Sequence, residues 1–229
     1  MNARYLPGVN LPEDIAVQSD LRACLRNCEL ALVATPTSAL RQVLKQVAGT
    51  TPNVPLVWAC KGFERDSARL AHEIVASEMP AATCAVLSGP SFASEVARGQ
   101  PTALILASSN AEFAHTMALT LHQAMLRIYY SEDVIGVEIA GAVKNIMAIA
   151  AGVCDGMGLG MNARAALITR GLAEVARLGA RLGGKMETFM GLAGAGDLIL
   201  TCTGDLSRNR NVGLQLAGGD SLDAILARL

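Results

Sequence analysis

The sequence predicts an α/β domain with a largely parallel sheet over residues 1–131, followed by an all-α domain over residues 132–229. Three observations carry this. The first part holds five short apolar runs divided by helix-like spacers, no comparable run follows Ser131, and from Asp133 onward the apolar positions take a helical period with glycine punctuation. The runs are "LALVATP" at 30–36, "VPLVWACKG" at 54–62, "TCAVLSGPS" at 83–91, "TALILAS" at 102–108 and "LRIYYS" at 126–131. Each is apolar almost throughout, as a strand covered on both faces must be, and the spacers suit the crossover helices that parallel strands require. Helical patterns then cover 133–156, 163–182, 188–190 and 222–229. The long helix starting near Asp133 joins the two domains directly, with Asp133 or Ser131 as its cap.

With 229 residues, 52% hydrophobic and 17% charged, the chain can bury a substantial core. A net charge of -1 gives no general attraction to nucleic acid or to an anionic membrane, so any anion site is local. No apolar run reaches the roughly 18–20 residues of a membrane span without a charge or a turn, and no basic-then-apolar leader opens the chain. An integral membrane protein is not expected. The cysteines at 24, 28, 60, 84, 154 and 202 sit in apolar contexts without zinc-ligand spacing, and read as reduced core residues of a cytoplasmic protein. No metal site is expected. His72, His115 and His122 fall in amphipathic surface helices, which speaks against a histidine base.

Ligands of open parallel sheets gather beyond the carboxyl ends of the strands. Three such ends carry chemistry here: Thr35, Thr37 and Ser38 in "ATPTSAL", Lys61 and Gly62 in "ACKGFE", and Ser88, Gly89, Pro90 and Ser91 in "SGPSFASEV". Thr37 and Ser91 could equally cap helices, and Lys61 could be a solvated loop lysine. Further on, "GLAGAGDL" spaces Gly191, Gly194 and Gly196 before Asp197 without a preceding strand, so it is not a dinucleotide fingerprint. "SRNRN" gathers Ser207, Arg208, Asn209 and Arg210 after a turn, either as donors for a phosphate or carboxylate or as a solvated basic turn. "GMGLGMN" at 156–162 reads as a helix–helix turn.

Lys144 interrupts the apolar stretch "GVEIAGAVKNIMAIAAG" at 136–152. Its helical neighbours are Ala140, Gly141, Met147 and Ala148, and Glu138 lies about 120° away around the axis, too far to neutralise it. The lysine either snorkels to water or is a partly desolvated amine suited to acid–base work.

Six motifs in this order, "LVWACKG", "SGPSFASEVARGQPTA", "GAVKNIMAIAAG", "ARAALITRGLAEVARLG", "GLAGAGDLILTCT" and "SRNRNVG", resemble the bacterial NAD(P)-dependent sn-glycerol-3-phosphate dehydrogenase family across essentially the whole chain. The resemblance implies a Rossmann-like domain followed by a helical substrate domain, and NAD or NADP as cofactor with no metal. It implies reversible oxidation of glycerol 3-phosphate to dihydroxyacetone phosphate, supplying glycerol 3-phosphate for phospholipid synthesis, and it admits a homodimer. It makes Lys144 the proton acceptor. Lys61 would contact cofactor and substrate, Gly89, Ser91 and Asp197 the substrate, and Ala93 the cofactor. Ser207, Arg208 and Asn209 would hold the substrate's polar end, with Arg208 also facing the cofactor, and Asn145 and Thr201 would support. The small residues around Lys144 would then be clearance for the triose phosphate.

Two departures stand out. The chain opens at "MNARYLPGVNLPED" without the family's GxGxxG turn, and it stops at Leu229 before the family's last helices. Both domains are therefore expected to be incomplete, with weak cofactor binding and marginal stability. Cys60 stands where a threonine or serine is expected. Two other readings stay open: a non-catalytic module for phosphate binding or oligomerisation, and a related lysine-dependent hydroxyacid dehydrogenase, against which "SRNRN" and "GLAGAGDL" speak.

Overall fold

A computed structural model describes residues 6–228. They divide into two compact units, one of residues up to Leu87 together with Ser91–Glu132, the other of Ser88–Pro90 together with Asp133 onward.

The first unit carries a single five-stranded sheet in the order β1-β2-β3-β4-β5. The strands are β1 Ala31–Val33, β2 Leu56–Trp58, β3 Cys84–Ser88, β4 Thr102–Ala107 and β5 Leu126–Ser131. Pairing is parallel between β1 and β2, β2 and β3, and β4 and β5. Every apolar run singled out in the sequence contains a strand, but β1 and β2 are only three residues long. Pro36 and Pro55, which lack the N–H a ladder needs, stand close to their ends. Helices α1 Leu21–Leu25, α2 Thr37–Ala48, α3 Ala71–Glu78, α4 Ala93–Ala97 and α5 Ala111–Leu121 fill the connections. A core of Val57, Ala85, Leu104, Leu106 and Ile128 closes under Ala114 and Ala118 of α5. On α2, Leu40, Leu44 and Val47 recur at helical spacing and are buried. Cys24 departs from the core role expected of it: on the five-residue α1 only Leu25 is buried, and Cys24 is exposed.

Arg41 of α2 fastens the loop that follows β2. Its guanidinium grips Glu64 in a forked pair at 2.7 and 2.8 Å and also reaches Glu78 of α3. Hydrogen bonds from Arg41, then from Ser67, lower the Glu64 carboxyl from 4.5 to about 2. A carboxyl lowered on folding contributes stability that is complete above its unfolded value and is lost as pH falls through its folded value. The difference in Tm between wild type and Glu64→Gln is therefore expected to be constant from pH 5 to pH 8 and to shrink between pH 4.5 and pH 2. Thermal melts across that range check it; a difference that does not change with pH would count against the pair.

The second unit is helical, with α6 Val134–Gly156, α7 Gly160–Arg181, α8 Met186–Met190, α9 Asp197–Thr203, α10 Arg208–Ala217 and α11 Leu222–Leu226. Asp133 caps α6 through a 2.9 Å bond from the Gly136 N–H. Its second oxygen accepts from the Lys185 N–H at 2.8 Å and from the Thr188 hydroxyl at 2.6 Å, so one carboxylate ties the start of α6 to the start of α8. By length and hydropathy α6 could cross a membrane, yet half of its most apolar window is buried within the fold. It is the helix on which α7, α9 and α10 pack. The approach of α10 is close: a Cβ on Gly152 would lie 2.0 Å from the Arg210 carbonyl oxygen, and one on Gly213 would lie 2.1 Å from that of Ile149.

Candidate active site

Lys144 sits mid-way along α6 with its side chain 11% exposed, so it does not snorkel. Its ammonium donates to Asp197 Oδ1 and, at 3.2 Å, to Thr201 Oγ1. Asp197 opens α9 with its side chain 2% exposed. Thr201, one turn on, donates its own proton to the Asp197 carbonyl at 2.6 Å, which turns the hydroxyl lone pairs toward the lysine. A charge buried this deeply needs a paired and hydrogen-bonded setting, and here the pairing crosses from α6 to α9.

The glycine-rich "GLAGAGDL" delivers Asp197. Residues Leu192–Gly196 form a π-helical turn running straight into α9, with Gly196 N–H bonded to the Gly191 carbonyl at 3.1 Å. Gly194 permits this turn, because a Cβ there would lie 2.0 Å from the Phe189 carbonyl oxygen. The turn after β3 lies alongside: Pro90 Cγ is 3.8 Å from where a Gly196 Cβ would be, and Gly89, buried with φ of +129°, makes the bend. The small residues around Lys144 are not all clearance for a substrate. Ala148 is fully buried in a cluster with Ala151, Leu198 and Cys202, where it lets α9 approach α6.

The "SRNRN" group forms the start of a helix, and its members separate by task. Ser207 is the N-cap of α10, accepting from the Arg210 N–H at 3.2 Å. Arg208 is exposed. The Asn209 amide donates to Asn145 Oδ1 at 2.9 Å, which joins the first turn of α10 to the residue next to Lys144. Arg210 does not face solvent as an anion donor; it is held by Asp155 and Asp205. Sequence reasoning missed Asp155, whose only local signal was a lone acid near the end of an apolar helix. Burial pushes the Cys202 thiol up to about 11, away from the thiolate that a nucleophilic cysteine uses.

Lys61, Ser91 and Ala93 belong to the first unit. Lys61 is half-buried just past β2 and followed by Gly62 with φ of +128°, while Ser91 and Ala93 are exposed at the start of α4, whose N-cap is Phe92 rather than Ser91. Thr37 does not cap α2 either; Pro36 occupies the cap, and α2 has no side-chain cap bond. Among the described residues the buried Thr35 and Thr37 hydroxyl oxygens have no hydrogen-bond partner, and Thr37 Oγ1 lies 3.6 Å from the Cβ position of Gly62. Two orphaned hydroxyls at the carboxyl edge of a parallel sheet, next to a lysine, fit a polar nucleotide ligand.

A parallel α/β unit followed by a helical unit that buries a lysine–carboxylate pair is the arrangement that the resemblance to a two-part nicotinamide-dependent dehydrogenase implies. The N-terminal family model of NAD-dependent glycerol-3-phosphate dehydrogenase matches residues 1–114, and the C-terminal model matches residues 133–229. A glycerol-3-phosphate dehydrogenase [NAD(P)+] of Aromatoleum aromaticum is 59% identical over the whole chain, which spans 70% of that relative's length. One of Nitrosospira multiformis is 56% identical over the whole chain, which spans 69% of it. The crystal structure of glycerol-3-phosphate dehydrogenase from Coxiella burnetii superposes with a TM-score of 0.95 at 46% identity, covering 99% of this chain and 70% of that one. The chain belongs to the NAD-dependent glycerol-3-phosphate dehydrogenase family.

Proposed function

We propose that this chain interconverts sn-glycerol 3-phosphate and dihydroxyacetone phosphate with NAD(P), using Lys144 as the proton-transfer group. The buried Lys144–Asp197–Thr201 cluster carries the reading. In oxidation Lys144 takes the proton of the C2 hydroxyl; in reduction its ammonium returns that proton to the C2 oxygen. When bound, NAD(P) accepts or supplies the hydride at its nicotinamide ring. Asp197 and Thr201 hold the Lys144 amine in place, so that little rearrangement accompanies proton transfer.

Arg208 and Asn209 bind the phosphate, with Ser207 holding the helix end around them. The first turn of α10 directs backbone N–H groups and the positive end of the helix dipole outward, which favours an anion. Gly89 and Ser91 line the substrate from the turn after β3. Lys61, Ala93 and Arg208 face the cofactor, and Thr37 adds a hydroxyl suited to a ribose or phosphate.

Arg208→Ala is expected to raise KM for dihydroxyacetone phosphate by about tenfold or more, as loss of a charge-assisted phosphate contact of about 1.5–3 kcal/mol implies. A phosphate-free hydroxyketone should be a poor substrate for both proteins. Steady-state kinetics on the two substrates test this. Turnover of a phosphate-free hydroxyacid by wild type would instead favour the hydroxyacid dehydrogenase reading.

A further inference from the structure

An ion-pair cluster at the base of α10 takes no part in the chemistry above. Asp155, near the carboxyl end of α6, accepts from Arg210 Nε at 2.9 Å and from Arg164 of α7 at 2.9 Å. The second guanidinium nitrogen of Arg210 is 2.8 Å from the same oxygen, and Arg210 also reaches Asp205 in the loop before α10 at 3.0 Å. Burial raises the Asp155 carboxyl, but the hydrogen bonds from Arg210 and Arg164 outweigh it and hold the group below its usual range. Three helices therefore meet at one ionised carboxylate.

Its placement is specific. Asp155 follows Lys144 by three turns of α6, on nearly the same face. Arg210 is the next residue after Asn209, so fixing its side chain fixes the rotation of the turn that carries Arg208 and Asn209. The backbone of α10 is already pressed against Gly152, which leaves rotation and sliding as the remaining freedoms. The Arg210–Asp155 pair and the Asn209–Asn145 bond, made by adjacent residues of the first turn of α10 to two separate points along α6, restrain both.

We propose that Asp155 is a positioning residue for substrate phosphate: through Arg210, and braced by Arg164, it sets α10 so that Arg208 and Asn209 stand at the phosphate while Lys144 is unaffected. The proposal rests on the phosphate-binding role given above to Arg208 and Asn209. In Asp155→Asn the shape is kept and the charge removed. The affinity for dihydroxyacetone phosphate, by calorimetry on the full chain, should fall about tenfold or more, as displacement of a positioning group by a fraction of an ångström implies. KM should rise with it, kcat should stay within about twofold, and the pH profile of kcat should not move.

Backbone amides of residues 210–213 should exchange with deuterium about tenfold faster than in wild type, a change that a general loss of stability would spread over the whole second unit. Arg164→Gln, which leaves Arg210 in place, should show the same pattern at smaller size and serves if Asp155→Asn does not fold. Arg177→Gln, which breaks the exposed Arg177–Glu174 pair on α7, should change none of these. Unchanged affinity with a lowered Tm would overturn the proposal, as would a loss of kcat without a rise in KM. If wild type does not bind dihydroxyacetone phosphate, the substrate reading fails by itself. The clamp is then decided by exchange at 210–213, where equal rates in wild type and Asp155→Asn would overturn it.

Discussion

Replacing Lys144 with alanine is expected to lower kcat by about a hundred- to ten-thousandfold, the range typical of a lost general acid–base group. The substitution also leaves the Asp197 carboxylate, 2% exposed, without its lysine. Breaking a buried pair from one side costs about 3–5 kcal/mol, so lost activity could come from lost folding alone. Lys144→Met combined with Asp197→Asn separates the two, because the neutral amide can still hydrogen bond to Thr201 and no buried charge is stranded. The double variant should melt close to wild type and remain inactive. Turnover near wild type in either protein, with only KM raised, would remove Lys144 from proton transfer.

Gly152→Ala should be strongly damaging although it touches no side chain of the lysine cluster. Its Cβ would lie 2.0 Å from the Arg210 carbonyl oxygen, and the obstacle is backbone, which cannot rotate aside as a flexible side chain can. Helix α10 would have to move away from α6, at a cost of about 1–3 kcal/mol or more for overpacking. The Asn209–Asn145 bond would stretch with it, so the melting temperature and phosphate affinity should fall together. Gly49→Ala is the control: its Cβ would meet nothing nearer than 3.4 Å, and its stability should stay within about 0.5 kcal/mol of wild type. Equal melting temperatures for the two variants would show that the α6–α10 contact can yield.

The sheet was legible in the sequence because strands covered on both faces must be apolar throughout, and the five runs show it without periodicity analysis. Their lengths were not: β1 and β2 end where proline and turn geometry intervene, and apolar character continues past the last ladder bond. Helix α10 was not legible. "RNRNVGLQLA" buries only Val212 and Gly213, too little for an amphipathic signal, and its setting comes from Asp155, 55 residues away. Distance in sequence also hid the partner of Lys144. Local spacing could show that Glu138 was unsuitable, but Asp197, 53 residues on, came into view only through family resemblance. The capping readings for Thr37 and Ser91 failed for a related reason, since many sequences offer a hydroxyl near a helix start and only geometry shows which residue occupies the cap.

The π-helical turn at Leu192–Gly196 sets the phase of everything after it. Such a turn carries one residue more than an α-helical path would, and each residue rotates a helix by about 100°. As built, Asp197 and Thr201 face the amine while Ile199 points outward, half exposed. With one residue fewer, Leu198 and Cys202 would occupy those two places, and the ammonium would rest on a hydrocarbon and a thiol. The Lys144–Asp197 pair therefore depends on a count as much as on a composition: an insertion or deletion in a turn of small residues, touching neither side chain, would exchange a hydrogen-bonded ion pair for a greasy contact.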